Sequence, residues 1–219
     1  MYLKPRRFQD SRRDERRYNM FESFILAGGK SSRMKRNKAF LQLEGKTLLD
    51  IQNGKLKKIG SKKISVVLAE EAENFENYTV ITDFYKNRGT LGGIHSALEN
   101  CGEKYALILA CDMPFVSEDL LHFLVKTIEK ENTDCVAPIQ KDGIIQPLCA
   151  VYDAKKCVEI LAAIFDEFDE TPSARDFLKR IETRFIEFAE FSNLPNSENF
   201  FFNLNTPENY RTAQKIASQ

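Results

Sequence analysis

The residues best suited to chemistry begin in one short stretch, FILAGGKSSRMKRNK at positions 24–38. An apolar run ends there at Gly28 and Gly29, and five cations follow within nine residues, among them Arg33 and Lys38. Glycines at the end of a buried strand let backbone N–H groups approach an anion, because no Cβ stands in the way. The stretch therefore predicts a phosphate-binding turn, and the alternative is an ordinary turn with a solvated basic face.

Two well-known phosphate motifs do not fit this stretch. A Walker loop requires a glycine five residues before Gly29, and that position is Phe24. The dinucleotide fingerprint G-x-G-x-x-G also fails after Gly28. Neither a P-loop kinase nor a Rossmann dehydrogenase is indicated.

Composition narrows the class of protein further. The chain has 219 residues, 42% of them hydrophobic, which suits one large α/β domain. No apolar run approaches the roughly 20 residues of a membrane span, and the amino terminus lacks a secretory apolar centre, so we expect a cytoplasmic protein. The five cysteines never form a C-x-x-C pair and there are only two histidines, which disfavours zinc, disulfides and Ser/His/Asp or Cys/His catalysis.

The formal net charge of zero hides a basic amino terminus. Residues 1–20 carry seven Lys and Arg against three Asp and Glu. Aromatic residues are scattered there without periodicity, so we expect a poorly ordered extension and no nucleic-acid partner. Residues 21–219 are then expected to form the single folded domain.

Strand and helix patterns alternate along that domain. Runs rich in β-branched and aliphatic residues predict strands at 23–27, 63–69, 78–82, 105–110, 134–139, 146–152 and 184–188. Amphipathic patterns predict helices at 46–59, 92–100, 117–130, 153–165 and 173–182, and a last helix that Thr206 caps and Pro207 begins. This alternation indicates a three-layer α/β fold with a mainly parallel sheet.

Five ordered motifs resemble those of the molybdenum cofactor guanylyltransferase (MobA) family. L-A-G-G-x-S-x-R-M at 26–34, followed by Lys38, resembles the family signature. The other four are VITD ending at Asp83, GTLGGIHSAL (89–98), ACDMPF (110–115) and FNLNTPENY (202–210). Together they span about residues 21–215, which is nearly the whole chain.

The resemblance implies a Rossmann-like nucleotidyltransferase fold and transfer of GMP from GTP to the terminal phosphate of molybdopterin. It implies molybdoenzymes or their chaperones as further partners. In the nucleotide site it implies that Asp83 holds the guanosine and that Asp112 binds the nucleotide and Mg²⁺. Lys38 would contact the phosphates, and the nucleotide would be lined by Leu26, Ala27, Gly28 and Gly29.

That reaction needs no protein base, because the attacking phosphate monoester is already anionic near neutral pH. The obstacle is repulsion between two negative reactants and charge on the leaving pyrophosphate. Arg33 and Lys38, the glycine turn and a magnesium ion at Asp112 can supply the required positive charge. The scarcity of histidine is therefore no objection.

Each acid or amide also has a structural alternative. Asp112 could cap the helix that follows it, and Asp83 could start a turn. Gln146, Asn203 and Asn205 match family positions near the acceptor substrate, but strand-edge or turn hydrogen bonding would equally explain them.

The chain also departs from the family pattern. Lys35, Asn37 and Thr90 replace residues usual in the family, which leaves loop geometry and substrate preference open. Relatives that use CTP tend towards L-A-A-G, so Gly28 favours GTP. The alternatives are a molybdopterin cytidylyltransferase, another sugar-phosphate or alcohol-phosphate nucleotidyltransferase, and a nucleotide- or pterin-binding protein without catalysis.

Overall fold

A computed structural model describes residues 20–28, 38–70, 74–85, 87–167 and 170–218. The strands in these ranges are β1 (Phe21–Leu26), β2 (Gln42–Leu43), β3 (Lys46–Thr47), β4 (Ile64–Leu68), β5 (Thr79–Thr82), β6 (Tyr105–Ala110), β7 (Cys135–Pro138), β8 (Cys149–Asp153) and β9 (Thr183–Ile186). The α-helices are α1 (Leu48–Lys58), α2 (Gly89–Glu99), α3 (Glu118–Glu131), α4 (Ala154–Glu167), α5 (Ala174–Leu178), α6 (Phe188–Phe191) and α7 (Pro207–Ala217). Short 3₁₀ turns occupy Lys38–Phe40 and Ser197–Asn199.

Seven of these strands form one sheet in the order β5-β4-β1-β6-β8-β7-β9, and β2 pairs with β3 in a separate hairpin. Strands β5, β4, β1 and β6 are parallel to one another, whereas β8 runs antiparallel to both β6 and β7. The predicted mainly parallel α/β sheet is therefore confirmed.

Alternating side chains of the central strands build a core on each face of the sheet. In β6, Leu107 and Leu109 pack on the face covered by α1 and α3. Ala106 and Ile108 pack on the opposite face, where α2 and α4 lie. Because both faces are buried, β6 is a continuous apolar run, as is typical of central parallel strands. The predicted three layers follow from this burial.

Capping residues fix where two of the helices begin. The Ser117 hydroxyl accepts a hydrogen bond from the Leu120 amide at 3.1 Å and starts α3. The Thr206 hydroxyl accepts one from the Asn209 amide at 3.1 Å, and Pro207 takes the first position of α7. Both predicted helix starts are confirmed.

Some local predictions differ from the structure. The strand predicted at 146–152 begins only at Cys149, because Gln146–Cys149 close a turn through a 3.1 Å backbone hydrogen bond. The helix predicted at 173–182 ends at Leu178. The β2–β3 hairpin was not predicted; its two-residue turn needs positive φ at Glu44 (50°) and Gly45 (76°).

The predicted basic extension lies outside the described residues, apart from Met20, so its boundary stays a prediction. None of the helices in the described ranges has the length and apolar character needed to cross a membrane.

Candidate active site

The candidate site lies where β1 and β6 end. Leu26 and Ala110 are paired at the last register position of these parallel strands, so Gly28 and Asp112 follow at the same height. Helix α1, which follows β1, packs on one face of the sheet, and helix α2, which precedes β6, packs on the other. Such a switch point opens a crevice at the carboxyl edge of the sheet, where ligands of open α/β folds bind.

Lys38 joins three distant parts of the chain at this crevice. Its Nζ lies 3.4 Å from Oδ2 of Asp112 and donates a 2.6 Å hydrogen bond to Oδ1 of Asn205. The side chains of Lys38 and Asp112 are each 20% exposed, so they are partly screened and still open to a ligand. The two charged residues singled out from the sequence therefore share one site.

Asn205 reaches Lys38 because the C-terminal segment docks on the Asp112 loop. The Leu204 amide donates a hydrogen bond to the Asp112 carbonyl at 3.0 Å. The Leu204 side chain is fully buried with Leu43, Leu48 and α7. This anchoring explains why the motif at 202–210 belongs to the site although it is last in the chain.

Gly28 is required by close backbone packing. A Cβ added to Gly28 would lie 2.4 Å from the backbone nitrogen of Ala69, just beyond β4. No side chain tolerates such a contact without a backbone shift. Gly28 is therefore fixed against the end of the neighbouring strand, and it is exposed.

Leu26 and Ala27 support this turn from the end of β1. The Leu26 side chain packs beside Gly93 of α2, where an added Cβ would be in ordinary van der Waals contact with it at 3.4 Å. Ala27 is buried and its amide donates to the Val67 carbonyl at 3.0 Å. Both residues lie beside the crevice, and their contact with a nucleotide stays a prediction.

Asp83 follows β5 at the same edge of the sheet but makes structural contacts of its own. Its Oδ1 accepts hydrogen bonds from the Ser96 hydroxyl at 2.9 Å and the Tyr85 amide at 3.0 Å. Burial raises the pKa of Asp83, and these two hydrogen bonds oppose that shift. A Cβ on Gly92 would come 2.7 Å from Oδ2, so the glycine leaves space for the carboxylate.

Asp83 thus links the end of β5 to α2 through Ser96. The predicted contact between Asp83 and guanosine remains a prediction.

Gln146 and Asn203 are held within their own loops. The Gln146 amide donates to the Gln140 side chain at 2.6 Å, and the Asn203 amide donates to the Phe201 carbonyl at 3.0 Å. Neither hydrogen bond connects these residues to Lys38. Their predicted contact with the acceptor substrate stays a prediction.

The sequence model of the MobA-like NTP transferase domain matches residues 23–184, which include most of β1, Gly28, Lys38 and Asp112. The chain belongs to the MobA-like NTP transferase family. Similar proteins are named molybdenum cofactor guanylyltransferases, and this chain is a nucleotidyltransferase enzyme of that family.

Relatives of this MobA-like chain cover most of its length. A probable molybdenum cofactor guanylyltransferase of Clostridium perfringens (strain 13 / Type A) is 33% identical over 193 residues, which are 85% of this chain and 92% of the relative. The molybdenum cofactor guanylyltransferase of Desulfosudis oleivorans is 37% identical over 138 residues, which are 63% of this chain and 67% of the relative.

A solved structure shares the MobA-like fold. Molybdopterin-guanine dinucleotide biosynthesis protein A from Archaeoglobus fulgidus superposes with a TM-score of 0.74 at 26% identity, and the match covers 90% of this chain and 98% of that one. A 2-C-methyl-D-erythritol 4-phosphate cytidylyltransferase from Thermus thermophilus superposes with a TM-score of 0.66 at 16% identity, covering 91% of this chain and all of that one. The second likeness shows the fold alone.

Several residues of the MobA-like pattern lie outside the described residues. They include Gly29 and Arg33, together with Lys35 and Asn37, where the chain departs from the family. The roles of Gly29 and Arg33 therefore stay predictions. Thr90, the third departure, lies in the first turn of α2.

The residues of the MobA-like crevice fit a magnesium ion that arrives with a nucleotide. Among the described residues, no group of three or more His, Cys, Asp or Glu is placed to hold a metal. Mg²⁺ commonly takes one or two protein carboxylates and completes its shell with phosphate oxygens and water, which a single Asp112 satisfies. Burial raises the pKa of the adjacent Cys111 to about 12.

Sequence reasoning missed the support behind Asp112. Gln52 of α1 is fully buried and donates to the Met113 carbonyl at 2.7 Å and the Ala110 carbonyl at 3.3 Å. Lys55, one turn later, donates to the Pro114 carbonyl. Gln52 lies between Leu49 and Leu56 at helical spacing, so it is a polar residue on the apolar face of the predicted helix. That position could have indicated from the sequence that Gln52 makes buried hydrogen bonds.

Proposed function

We propose that this enzyme transfers GMP from GTP to the terminal phosphate of molybdopterin. A phosphate oxygen of molybdopterin attacks the α-phosphorus of GTP, the bond between the α-phosphorus and its bridging oxygen breaks, and pyrophosphate leaves with that oxygen. The product is molybdopterin guanine dinucleotide. The observation that carries the proposal is the ammonium of Lys38, which contacts both Asp112 and Asn205 at the carboxyl edge of the sheet.

In this proposal the protein's own groups hold and neutralise the triphosphate. Lys38 donates to a phosphate oxygen, and backbone N–H groups of the turn at Gly28 donate to others. Asp112 would hold Mg²⁺, which supplies Lewis-acid stabilisation of the negative charge that builds on the leaving pyrophosphate. No side chain has to take a proton, so the site works without a histidine.

Two observations support guanine and molybdopterin over other substrates. The relatives described above are named guanylyltransferases of the molybdenum cofactor. The stretch at positions 26–29 reads L-A-G-G, whereas the family resemblance implies that relatives that use CTP tend towards L-A-A-G. Asn205 accepts the hydrogen bond of Lys38 through Oδ1, and its predicted contact with the acceptor substrate stays a prediction.

The experiment is pyrophosphate release by the full chain with Mg²⁺, molybdopterin-loaded carrier protein and GTP, CTP or ATP. We expect release with GTP, formation of the guanine dinucleotide, and loss of both on chelation with EDTA. Faster release with CTP would replace the proposal with a cytidylyltransferase. Nucleotide binding without pyrophosphate release from any substrate would replace it with a binding protein.

Asp112→Asn tests the metal assignment in the same assay. We expect this variant to lose turnover at every Mg²⁺ concentration while its thermal unfolding stays cooperative. Glu118→Gln is the matched control, because it also neutralises an acid on the segment after β6 but one whose partner is the exposed Lys58. Equal turnover of Asp112→Asn and Glu118→Gln would contradict the role of Asp112.

A further inference from the structure

The loop that carries Asp112 is held from behind by a buried amide. Gln52 is fully buried on α1, and its Nε2 donates to the Ala110 and Met113 carbonyls, which flank Cys111 and Asp112. The two carbonyl acceptors identify the nitrogen as the end of the amide that faces the loop. The side chain is thus hydrogen-bonded to both ends of the segment that carries the Asp112 carboxylate.

Other hydrogen bonds hold the loop at neighbouring points. Lys55, from the same helix, donates to the Pro114 carbonyl just beyond residues 110–113. The Leu204 amide donates to the carbonyl of Asp112 itself. The loop is therefore held by both α1 and the C-terminal segment.

The two ends of the Gln52 amide differ in their contacts. Its Oε1 is buried and has no hydrogen-bond partner among the described residues. A buried carbonyl oxygen without a donor costs free energy. The polar contacts that offset this cost are the two hydrogen bonds from Nε2 to the Ala110 and Met113 carbonyls, so the donor end of the amide holds the loop.

We propose that Gln52 is a positioning residue for Asp112 and sets the geometry with which the carboxylate meets a divalent cation. The inference rests on the proposed metal role of Asp112. Groups that orient a metal ligand typically change metal affinity by roughly 10- to 100-fold when they are removed. Gln52 acts here on the peptide segment that carries the ligand rather than on the ligand itself.

The test variant is Gln52→Met, which keeps the length of the side chain and removes its donors. The first readout is Mn²⁺ binding, followed by electron paramagnetic resonance of the free ion, with the full chain and α,β-methylene GTP. We expect the dissociation constant for Mn²⁺ to rise by roughly 10- to 100-fold. We also expect faster hydrogen exchange of the amides of residues 111–116, and a lower melting temperature, because the buried Ala110 and Met113 carbonyls lose this donor.

Thr127→Val is the matched control. Thr127 is buried on α3 and donates to the Phe123 carbonyl at 2.8 Å, so this variant also removes a buried hydrogen bond from a side chain to the backbone. We expect Mn²⁺ binding of Thr127→Val to equal that of the wild type. If Gln52→Met does not fold, Gln52→Asn gives the same comparison, because it keeps the amide and shortens its reach.

The outcomes separate this inference from the proposed function. Normal Mn²⁺ binding by Gln52→Met, together with lost binding in Asp112→Asn, would overturn the positioning role and leave the metal role intact. If the wild type shows no Mn²⁺ binding that depends on Asp112, the metal role fails. In that case hydrogen exchange tests whether Gln52 holds the loop. Unchanged exchange at residues 111–116 in Gln52→Met would show that it does not.

Discussion

Replacing Lys38 with methionine tests the electrostatic core of the site. Methionine keeps much of the length and apolar volume of the lysine stem and removes only the ammonium. In the structure that ammonium makes a 2.6 Å hydrogen bond to Asn205 and lies 3.4 Å from the Asp112 carboxylate. These contacts leave a further N–H donor of the ammonium for a phosphate oxygen of the nucleotide.

The expected loss follows from that donor. A preorganised donor aimed at charge that develops in the transition state contributes about 3–4 kcal/mol, so kcat should fall by roughly 100- to 1,000-fold. The effect on folding should be far smaller, because both side chains are 20% exposed and water can solvate Asp112 once it is alone. A loss of about 1 kcal/mol corresponds to a fall in melting temperature of roughly 2–4 °C for a chain of this size.

The assay is steady-state pyrophosphate release with GTP, together with differential scanning calorimetry. Lys58→Met is the matched control, because Lys58 also pairs with an acid, Glu118 at 2.8 Å, but its side chain is 69% exposed. Exposed ion pairs contribute little, so kcat of the control should stay within roughly twofold of the wild type. If Lys38→Met retained a kcat close to that of Lys58→Met, the assignment of Lys38 to the phosphates would be wrong.

Two further predictions concern stability. Gly28→Ala should lower the free energy of unfolding by about 1–3 kcal/mol in urea titrations, because its Cβ would lie 2.4 Å from the Ala69 nitrogen. Gly54→Ala on α1 is the control: its Cβ would meet nothing within 4 Å, so it should raise the free energy of unfolding by about 1 kcal/mol. Equal effects of the two substitutions would contradict this packing. Burial lowers the pKa of Lys55 from 10.5 to about 8, so between these values the unfolded chain binds more protons than the folded one. The unfolding free energy of the wild type relative to Lys55→Met should therefore rise with pH across that interval, by roughly 3 kcal/mol at most, and a flat difference would show that Lys55 titrates normally.

The sequence by itself determined the framework of the site. Strand and helix patterns are local, and they predicted the parallel sheet and the helices on its two faces. The ends of two buried runs placed Gly28 and Asp112 correctly, because parallel strands present their carboxyl ends at one edge of a sheet. The five motifs also carried enough information to identify the family, which the family match and the relatives confirm.

Only the tertiary structure decided how these residues are used. Lys38 and Asn205 are 167 positions apart, and the hydrogen bond between them exists because α7 and the β2–β3 hairpin share a buried cluster. The same holds for the carboxylate of Asp83, which the Ser96 hydroxyl engages, and for Gln52 behind the Asp112 loop. Periodicity specifies which face of an element is buried, but not which distant element will pack on it, so side-chain partners across the fold could not be read from the chain.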